Sequence, residues 1–419
     1  MSTAFRVILE GSQEVPPNGS TASGLGTIIF DSAAIAASYS IRVQGVDYGP
    51  ATGTTPQTPA TDDDVISTHY HTAPRGVNGP VVFGQINPAQ DNDDLAIALN
   101  ADGSWTVSGR WETTDPSNQP ITNFAAVLGS ATVGTEVPLY FNVHTNEFQG
   151  GEIRGQLIAI ADDNDNVVEG TAGHDLLPGL GGNDIVRGFA GDDVILGGSG
   201  NDKLFGGDGN DQINGEDGRD LIKGDDGDDV ITGGAGIDIV NAGEGDDLIK
   251  ATINDGADFY YGDGGTDTVD YSALTERVDV RLGDLFGFGT GLVTGRQSGV
   301  DLLASIENVI GSQAGDKITG NRADNVIEGA GGNDNLTGDR GDDTFMFNAG
   351  FGRDTITDFD DRGNDVITFS TAVFADFDAV EDALTVSGRD VVISLNAENT
   401  ITLKNTSIAS ITESDFLFV

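Results

Sequence analysis

Oxygen donors recur through the middle of this sequence at a fixed interval. Asp175, Asp184, Asp193, Asp202, Asp211, Asp220, Asp229, Asp238 and Asp247 stand nine residues apart, and a glycine precedes each by two positions: Gly173, Gly182, Gly191, Gly200, Gly209, Gly218, Gly227, Gly236 and Gly245. Glycine tolerates left-handed backbone angles at little steric cost, so a short loop can curl and turn its carbonyl oxygens inward beside the carboxylate. Several hard oxygen ligands per site suit Ca²⁺, whereas Mg²⁺ would demand tighter octahedral geometry and keep its waters. The chain has no cysteine, which excludes thiolate metal sites, disulfides and iron–sulfur clusters. After Lys250 the interval slips by two residues and resumes at Asp258 and Asp267, and a later block carries Asp316, Asn325, Asp334 and Asp343 at the same nine-residue spacing. There Ala314 and Ala323 take the glycine position and Asn325 the aspartate position, so partial or absent Ca²⁺ occupancy is expected between about 311 and 328. Asp334 and Asp343 are the ligands expected from that block.

A second set of donors is nitrogenous. His69 and His71 point to one face if their segment is extended, and with His144 they could hold Zn²⁺ or Cu²⁺. The competing reading has them hydrogen-bond to backbone and to Arg154 or Glu152, ordering a loop. His174, the last of the four histidines, occupies a variable repeat position and is expected at the solvent-exposed surface. Catalytic patterns are missing from the sequence: it has no His-Glu-x-x-His, no Gly-x-Ser-x-Gly, and no glycine-rich loop followed by Lys-Ser or Lys-Thr. The expectation is a protein that is not an enzyme, with metal-dependent chemistry at the His69, His71 and His144 face as the enzymatic alternative. Asp358-x-Asp360-x-Arg362-Gly363 opens like an EF-hand loop, but Phe369 at the twelfth position takes the place of the required glutamate.

These donors need elements to position them. An aliphatic residue follows each repeat aspartate by two positions, Leu177, Val186, Ile195, Leu204, Ile213, Ile222, Ile231, Val240 and Ile249. One such residue per unit makes no core alone, but stacked units give a continuous apolar column, the requirement of a solenoid. Residues 5–160 instead alternate in the strand period: Tyr39, Ile41 and Val43 interleave with Ser38, Ser40 and Arg42, and Trp105, Val107 and Trp111 recur near Leu95, Ile97 and Leu99. Such runs between Gly, Pro, Asn and Asp predict an antiparallel β-sandwich or barrel. Runs at Thr355–Phe359, Val391–Leu395 and Thr400–Leu403 read as antiparallel strands capping the solenoid edge. The expected fold class is all-β, with an N-terminal sandwich or barrel at 1–160, a first β-roll block at 161–270, a spacer at 271–310, a second block at 311–345 and a β-rich C-terminal cap at 346–419.

The nonapeptides GTAGHDLLP through AGEGDDLIK resemble the glycine-rich repeat of the RTX proteins. That resemblance implies a β-roll in which two nonapeptides make one turn and Ca²⁺ sits between stacked loops on each edge. Asp175 and Asp193 then fall on one edge, and Asp184 and Asp202 on the other. VDYSALTERVDVRLGDLFGFGTG resembles the spacer between RTX blocks. FGRDTITDFDDRGNDVITF and the ending Asp415-Phe416-Leu417-Phe418-Val419 resemble the C-terminal segment of type I secretion substrates such as the serralysins, which implies an uncleaved export signal there. Upstream, Glu14-Val15-Pro16-Pro17, His69-Tyr70-His71 followed by Gly76–Val82, and Tyr140–Thr145 with Gly151–Leu157 resemble the CHRD domain, first recognised in chordin.

Charge bounds the partners. The net charge is −48; residues 1–160 hold 5 Arg, no Lys and 16 acidic residues, a balance of −11, which leaves −37 for the remainder. Such a chain repels nucleic acid and anionic membranes. No apolar run reaches the ~18 residues of a membrane span, and no basic segment leads into an apolar stretch at the start, so a cleavable signal is not expected. Acidic residues stacked at strand spacing repel one another without counter-ions, so the chain is expected to be unfolded in calcium-poor cytosol and folded outside. The expectation is a secreted Ca²⁺-binding protein of the cell surface or extracellular matrix. Its expected partners are the type I secretion machinery and either copies of itself, in filaments or a surface layer, or matrix components. A soluble or adhesive ligand-binding module is the alternative.

Overall fold

The computed structural model describes residues 2–53, 63–86, 89–90, 93–283, 290–359 and 364–419. Two compact units emerge, Met1–Val168 with Asp175–Ile185, and Glu169–His174 with Val186–Val419.

Alternation in the N-terminal unit becomes nine antiparallel strands: β1 (Ser2–Glu10), β2 (Ser23–Asp31), β3 (Ala36–Gln44), β4 (Val65–His71), β5 (Val81–Ile86), β6 (Ala96–Leu99), β7 (Trp105–Trp111), β8 (Glu136–Thr145) and β9 (Ile153–Asp162). They form one continuous sheet in the order β5-β4-β8-β9-β1-β2-β3-β7-β6. Of the two forms expected, the observed one is an antiparallel half-barrel. The curl is legible in the aromatic rings. Phe83 on the terminal strand β5 stacks at 5.0 Å on Trp111 of β7, which lies near the other end of the sheet. Tyr70 and Phe141 join them from β4 and β8 in a T-shaped contact. Inside, the half-barrel is packed, with an apolar cavity of about 10 Å³ among Ile28, Tyr39, Tyr70 and Trp111, roughly the space of one water.

Period-2 geometry sends the other residues of β4, β8 and β9 to the outer face. Tyr70, Phe141 and Val143 enter the core, so His69, His71, Asn142 and His144 point away from it. Register then sets their neighbours: His69 lies opposite Asn142, His71 opposite Tyr140, and Asn142 opposite Arg154.

The second unit is a parallel solenoid, and the whole β-roll has about 11 turns. Val194–Gly200 pairs in parallel with Gln212–Gly218, and Lys203–Asp208 with Leu221–Asp226, so partners are 18 residues apart and two nonapeptides complete a turn. The aliphatic column is fully buried, with Ile195, Leu204, Ile222, Ile231 and Val240 at 0% exposure. The two-residue slip is absorbed without breaking the sheets, since Ile239 pairs with Phe259 and Leu248 with Thr268.

Within 271–310 the chain adds antiparallel strands to the solenoid rather than leaving it. Val278–Arg281, Thr290–Gly295 and Gly299–Ala304 pair antiparallel in sequence, and this insertion hydrogen-bonds to Phe259–Gly264 on one side and Lys317–Thr319 on the other. The C-terminal strands differ partly from expectation. Val391 and Thr400 do lie in antiparallel neighbours. Arg353–Ile356, however, pairs in parallel with Asn335–Thr337, and Val366–Phe369 pairs in parallel with Thr344–Phe347, so the solenoid runs on past 345. The reason is the core: Ile356 and Ile367 keep the buried column going, and Phe347, Phe369, Phe374 and Phe416 then widen it into an aromatic plug. Asp360, Arg362 and Gly363 of the EF-hand-like motif lie outside the described residues.

Candidate calcium ladder and histidine cluster

Each repeat aspartate is carried to the same place by the strand that follows it. Once the aliphatic residue two positions later is fixed in the column, the aspartate sits at the sheet edge beneath the next loop. Its Oδ1 accepts the backbone N–H of the aspartate one turn earlier: Asp202 N–H donates to Asp220, Asp211 to Asp229, Asp220 to Asp238 and Asp229 to Asp247, at 2.7–2.8 Å. Two columns result. One runs Asp193, Asp211, Asp229, Asp247, Asp267, Glu307; the other runs Asp202, Asp220, Asp238, Asp258, Asp301.

The second oxygen is what makes the columns chemically unusual. Oδ2 of Asp211, Asp220, Asp229, Asp238, Asp247, Asp267 and Asp334 is buried with no hydrogen-bond partner. Burial pushes these acids upward, Asp211 and Asp238 to about 6, Asp220 to about 7 and Asp229 to about 8. Neighbouring aspartates add to the rise. A buried carboxylate must find a donor, a proton or a cation. Beside each oxygen the chain leaves a cradle: a Cβ on Gly206 would collide with Asp211 Oδ2 and the Gly224 carbonyl, and one on Gly215 with Asp220 Oδ2 and the Gly233 carbonyl. The loop glycines Gly209, Gly227 and Gly245 have φ of 126°, 133° and 136°, and each stacks on the carbonyl of the glycine one turn before it. Carboxylate and carbonyl oxygens around a space that only glycine leaves open fit Ca²⁺.

The ends of the ladder depart from the pattern. Asp175 has Arg6 at 3.8 Å, and Asp184 accepts the N–H of Asn166. Asp258 and Asp343 take their places in the columns, but Asp258 Oδ2 also accepts the Tyr260 hydroxyl. Asp316 has both oxygens engaged by Val278 and Ser312, and the Asn325 amide donates to the Glu307 carbonyl. In this stretch the repeat side chains are therefore engaged by protein donors and acceptors. Sequence reading missed Asp301, Glu307, Asp354 and Asp365, although Asp354 and Asp365 accept from the N–H of Asp334 and Asp343. A signal was available for three of them: Gly299-x-Asp301-x-Leu303, Gly352-x-Asp354-x-Ile356 and Gly363-x-Asp365-x-Ile367 keep the glycine, the aspartate and the aliphatic residue of the repeat, at intervals other than nine.

On the half-barrel, the three histidines converge. One ring nitrogen from each of His69, His71 and His144 lies within 4.8 Å of the others, and His144 Nε2 is 3.1 Å from His69 Nε2. His71 Nδ1 bonds the Gly79 carbonyl at 2.7 Å and His144 Nδ1 the Gln149 carbonyl at 3.1 Å. Backbone ordering is therefore present, but through Gly79 and Gln149 rather than Arg154 or Glu152. Burial depresses all three rings, His69 to about 3 and His71 to about 4, so they are neutral. His71 stacks on Tyr140 at 4.7 Å, and the Arg154 guanidinium lies 3.4 Å from the Tyr140 ring centre. Arg154 donates to Asn78 and to the Val77 carbonyl, Asn78 donates to the Val15 carbonyl, and Asn18 donates to the carbonyls of Gly151 and Glu152. Three separated sequence motifs thereby meet in one polar network, with buried Glu14 raised by desolvation to about 7. His174 is half-buried rather than fully exposed, its Nδ1 accepting the Asp192 N–H at 2.9 Å.

Comparison with known families accords with this division. Residues 5–157 match the CHRD domain, and residues 160–192, 187–222, 223–251, 254–269 and 310–345 match the RTX calcium-binding nonapeptide repeat. This chain is a CHRD domain followed by RTX repeats. The unmatched gap before 310 holds the antiparallel insertion, and the acidic ladder continues beyond 345 to Asp365. Among solved structures, the extracellular lipase LipA from Serratia marcescens aligns at 18% identity over 57% of this chain and 45% of that one, with a TM-score of 0.22. No curated protein matches. The His69, Tyr140 and Arg154 network belongs to the CHRD domain, and the ladder from Asp193 to Asp267 belongs to the RTX repeats.

Proposed function

We propose that this protein is a non-catalytic structural component of the cell surface or extracellular matrix, exported through a type I pathway and folded outside the cell by Ca²⁺. RTX repeats bind calcium and are typical of secreted proteins. Among the described residues no helix is long and apolar enough to cross a membrane. The observation that carries the reading is the stack of buried, unpartnered Oδ2 atoms of Asp211, Asp220, Asp229, Asp238, Asp247 and Asp267. Left ionised and without cations, these columns oppose folding; with Ca²⁺ between loops, the same charge becomes the binding energy. The Ca²⁺ gradient across the envelope then acts as the folding switch.

Assembly of copies is favoured over a soluble ligand-binding role by two features. The half-barrel interior is filled rather than hollow, which removes the usual place for a small ligand. An apolar row crosses the outward face of the solenoid, where register places Leu221, Ile239, Phe259, Leu302 and Leu292 side by side, with Ile239 exposed. On a chain of net charge −48 such a row is a self-association surface once Ca²⁺ has neutralised the edges. Electron microscopy of chelated protein titrated with Ca²⁺ to millimolar levels tests this. Ordered fibres or sheets are expected; folded particles that stay dispersed at every Ca²⁺ level would replace assembly with the ligand-binding reading.

A further inference from the structure

The solenoid ladder offers only oxygen, yet the half-barrel presents a separate site of different chemistry. We propose that His69, His71 and His144 bind one divalent transition-metal ion of the Zn²⁺ and Cu²⁺ class on the outer face of the CHRD domain.

Four observations converge on it. First, the rings come from two adjacent strands, two from β4 and one from β8, so a rigid sheet sets their positions. Second, the Nδ1 atoms of His71 and His144 donate to the carbonyls of Gly79 and Gln149, which fixes the Nδ1–H tautomer; the Nε2 lone pair of His71 is then unengaged, and that of His144 faces His69 Nε2 at 3.1 Å. Carbonyl bonding of the remote ring nitrogen is the outer-shell arrangement that orients metal-ligating histidines. Third, His71 Nε2 is a buried atom without a partner, and an unmet buried nitrogen is costly unless something binds it. Fourth, the spacing fits. The 3.1 Å between His144 Nε2 and His69 Nε2 is close to the ~3.3 Å nitrogen separation implied by Zn–N bonds of about 2.0–2.1 Å in a tetrahedral site. His71 offers a ring nitrogen within 4.8 Å of the other two.

Ligand type separates this site from the ladder. Neutral imidazole suits Zn²⁺ and Cu²⁺, whereas Ca²⁺ takes oxygen. Saturating Ca²⁺ therefore silences the ladder and leaves the histidines to report alone. Stacking of His71 on Tyr140, with Arg154 close to the same ring, holds the third ligand without touching the metal position.

The test uses the full chain held folded in millimolar Ca²⁺ and titrated with Zn²⁺ by calorimetry. One saturable equivalent is expected. His71→Gln and His144→Gln should each weaken it by more than about 100-fold, beyond the loss typical of an outer-shell change, while His174→Gln leaves it unchanged. Circular dichroism in Ca²⁺ verifies the fold of each variant. Pulsed electron paramagnetic resonance of the wild-type chain with one Cu²⁺ needs no variant and is expected to count three imidazoles. Absence of the equivalent, an unchanged affinity in folded His71→Gln and His144→Gln, or a Cu²⁺ spectrum with fewer than three imidazoles would each overturn the proposal, leaving the rings as a packed, hydrogen-bonded cluster.

Discussion

The half-barrel and the solenoid are both β-structures with buried nitrogen or oxygen atoms that lack hydrogen-bond partners, yet they owe their folds to different forces. The half-barrel encloses Phe5, Phe30, Tyr70, Phe83, Trp105, Trp111 and Phe141 in a single core. Aromatic side chains of that size dominate core energetics, so this region meets its conformational entropy with apolar burial. The solenoid has one buried aliphatic residue per nonapeptide and, against it, two columns of aspartates raised by desolvation. Placing a metal ligand on a finished scaffold is one way to build a site. The proposed function has the solenoid built from its ligands instead, which would make its fold conditional on the ion.

Chelation gives the largest separation. Removing Ca²⁺ should abolish protection across Val194–Asp270 while the half-barrel keeps its core, a difference that hydrogen exchange followed region by region will read. Equal protection of the solenoid in chelator and in Ca²⁺ would erase the contrast. Acid should then partly reverse the loss. Asp211, Asp220, Asp229 and Asp238 lie near 3.8 in an unfolded chain and at about 6 to 8 when buried, so the metal-free folded state binds protons that the unfolded state releases. Stability of the chelated solenoid therefore falls as pH rises from about 4 to 8 and is regained on acidification, with the opposite trend for Ca²⁺ binding. Circular dichroism in chelator at pH 5 and pH 8 checks the sign.

A core deletion should act on the other region alone. Trp111→Ala removes the ring that packs on Phe83, Tyr70 and Phe124, and should cost the half-barrel about 3–5 kcal/mol. The Ca²⁺ midpoint of solenoid folding should not move. Two thermal transitions, of which the substitution lowers one, are the expected calorimetric result.

Legibility in the sequence follows the same divide. The two aspartate columns are legible from Asp193 to Asp267 because a repeat states its geometry many times; the pattern hides where the nine-residue interval breaks, at Asp301, Asp354 and Asp365, although the glycine, the aspartate and its aliphatic partner persist. The run at Thr355–Phe359, expected as antiparallel, instead gives Thr355 and Ile356 to a strand that pairs in parallel, because alternation defines a strand but not its partner. In the half-barrel, the shared face of His69 and His71 followed from strand period. The approach of His144 depended on the β4–β8 register, and the carbonyls of Gly79 and Gln149 belong to loops whose course no local pattern records.

The smallest effect sharpens the comparison within the ladder itself. Asp229 holds the Asp211 N–H through Oδ1, while Oδ2 is unpartnered and lies beside the same space at Gly224 as the Ala242 carbonyl. Asn325 occupies the equivalent repeat position: its N–H still donates to Asp343, but its amide donates to the Glu307 carbonyl at 2.7 Å. Asp229→Asn should reproduce that exchange, replacing a buried acid raised to about 8 with a neutral donor that can reach a carbonyl. The chelated solenoid gains stability, and the Ca²⁺ midpoint rises by about tenfold, or about 1.4 kcal/mol. The two shifts share one cause, since the charge that opposes folding without the ion is the charge that binds it. A lower midpoint would instead mean that Asp229 repels more than it ligates, and would move the sites to the carbonyl loops alone.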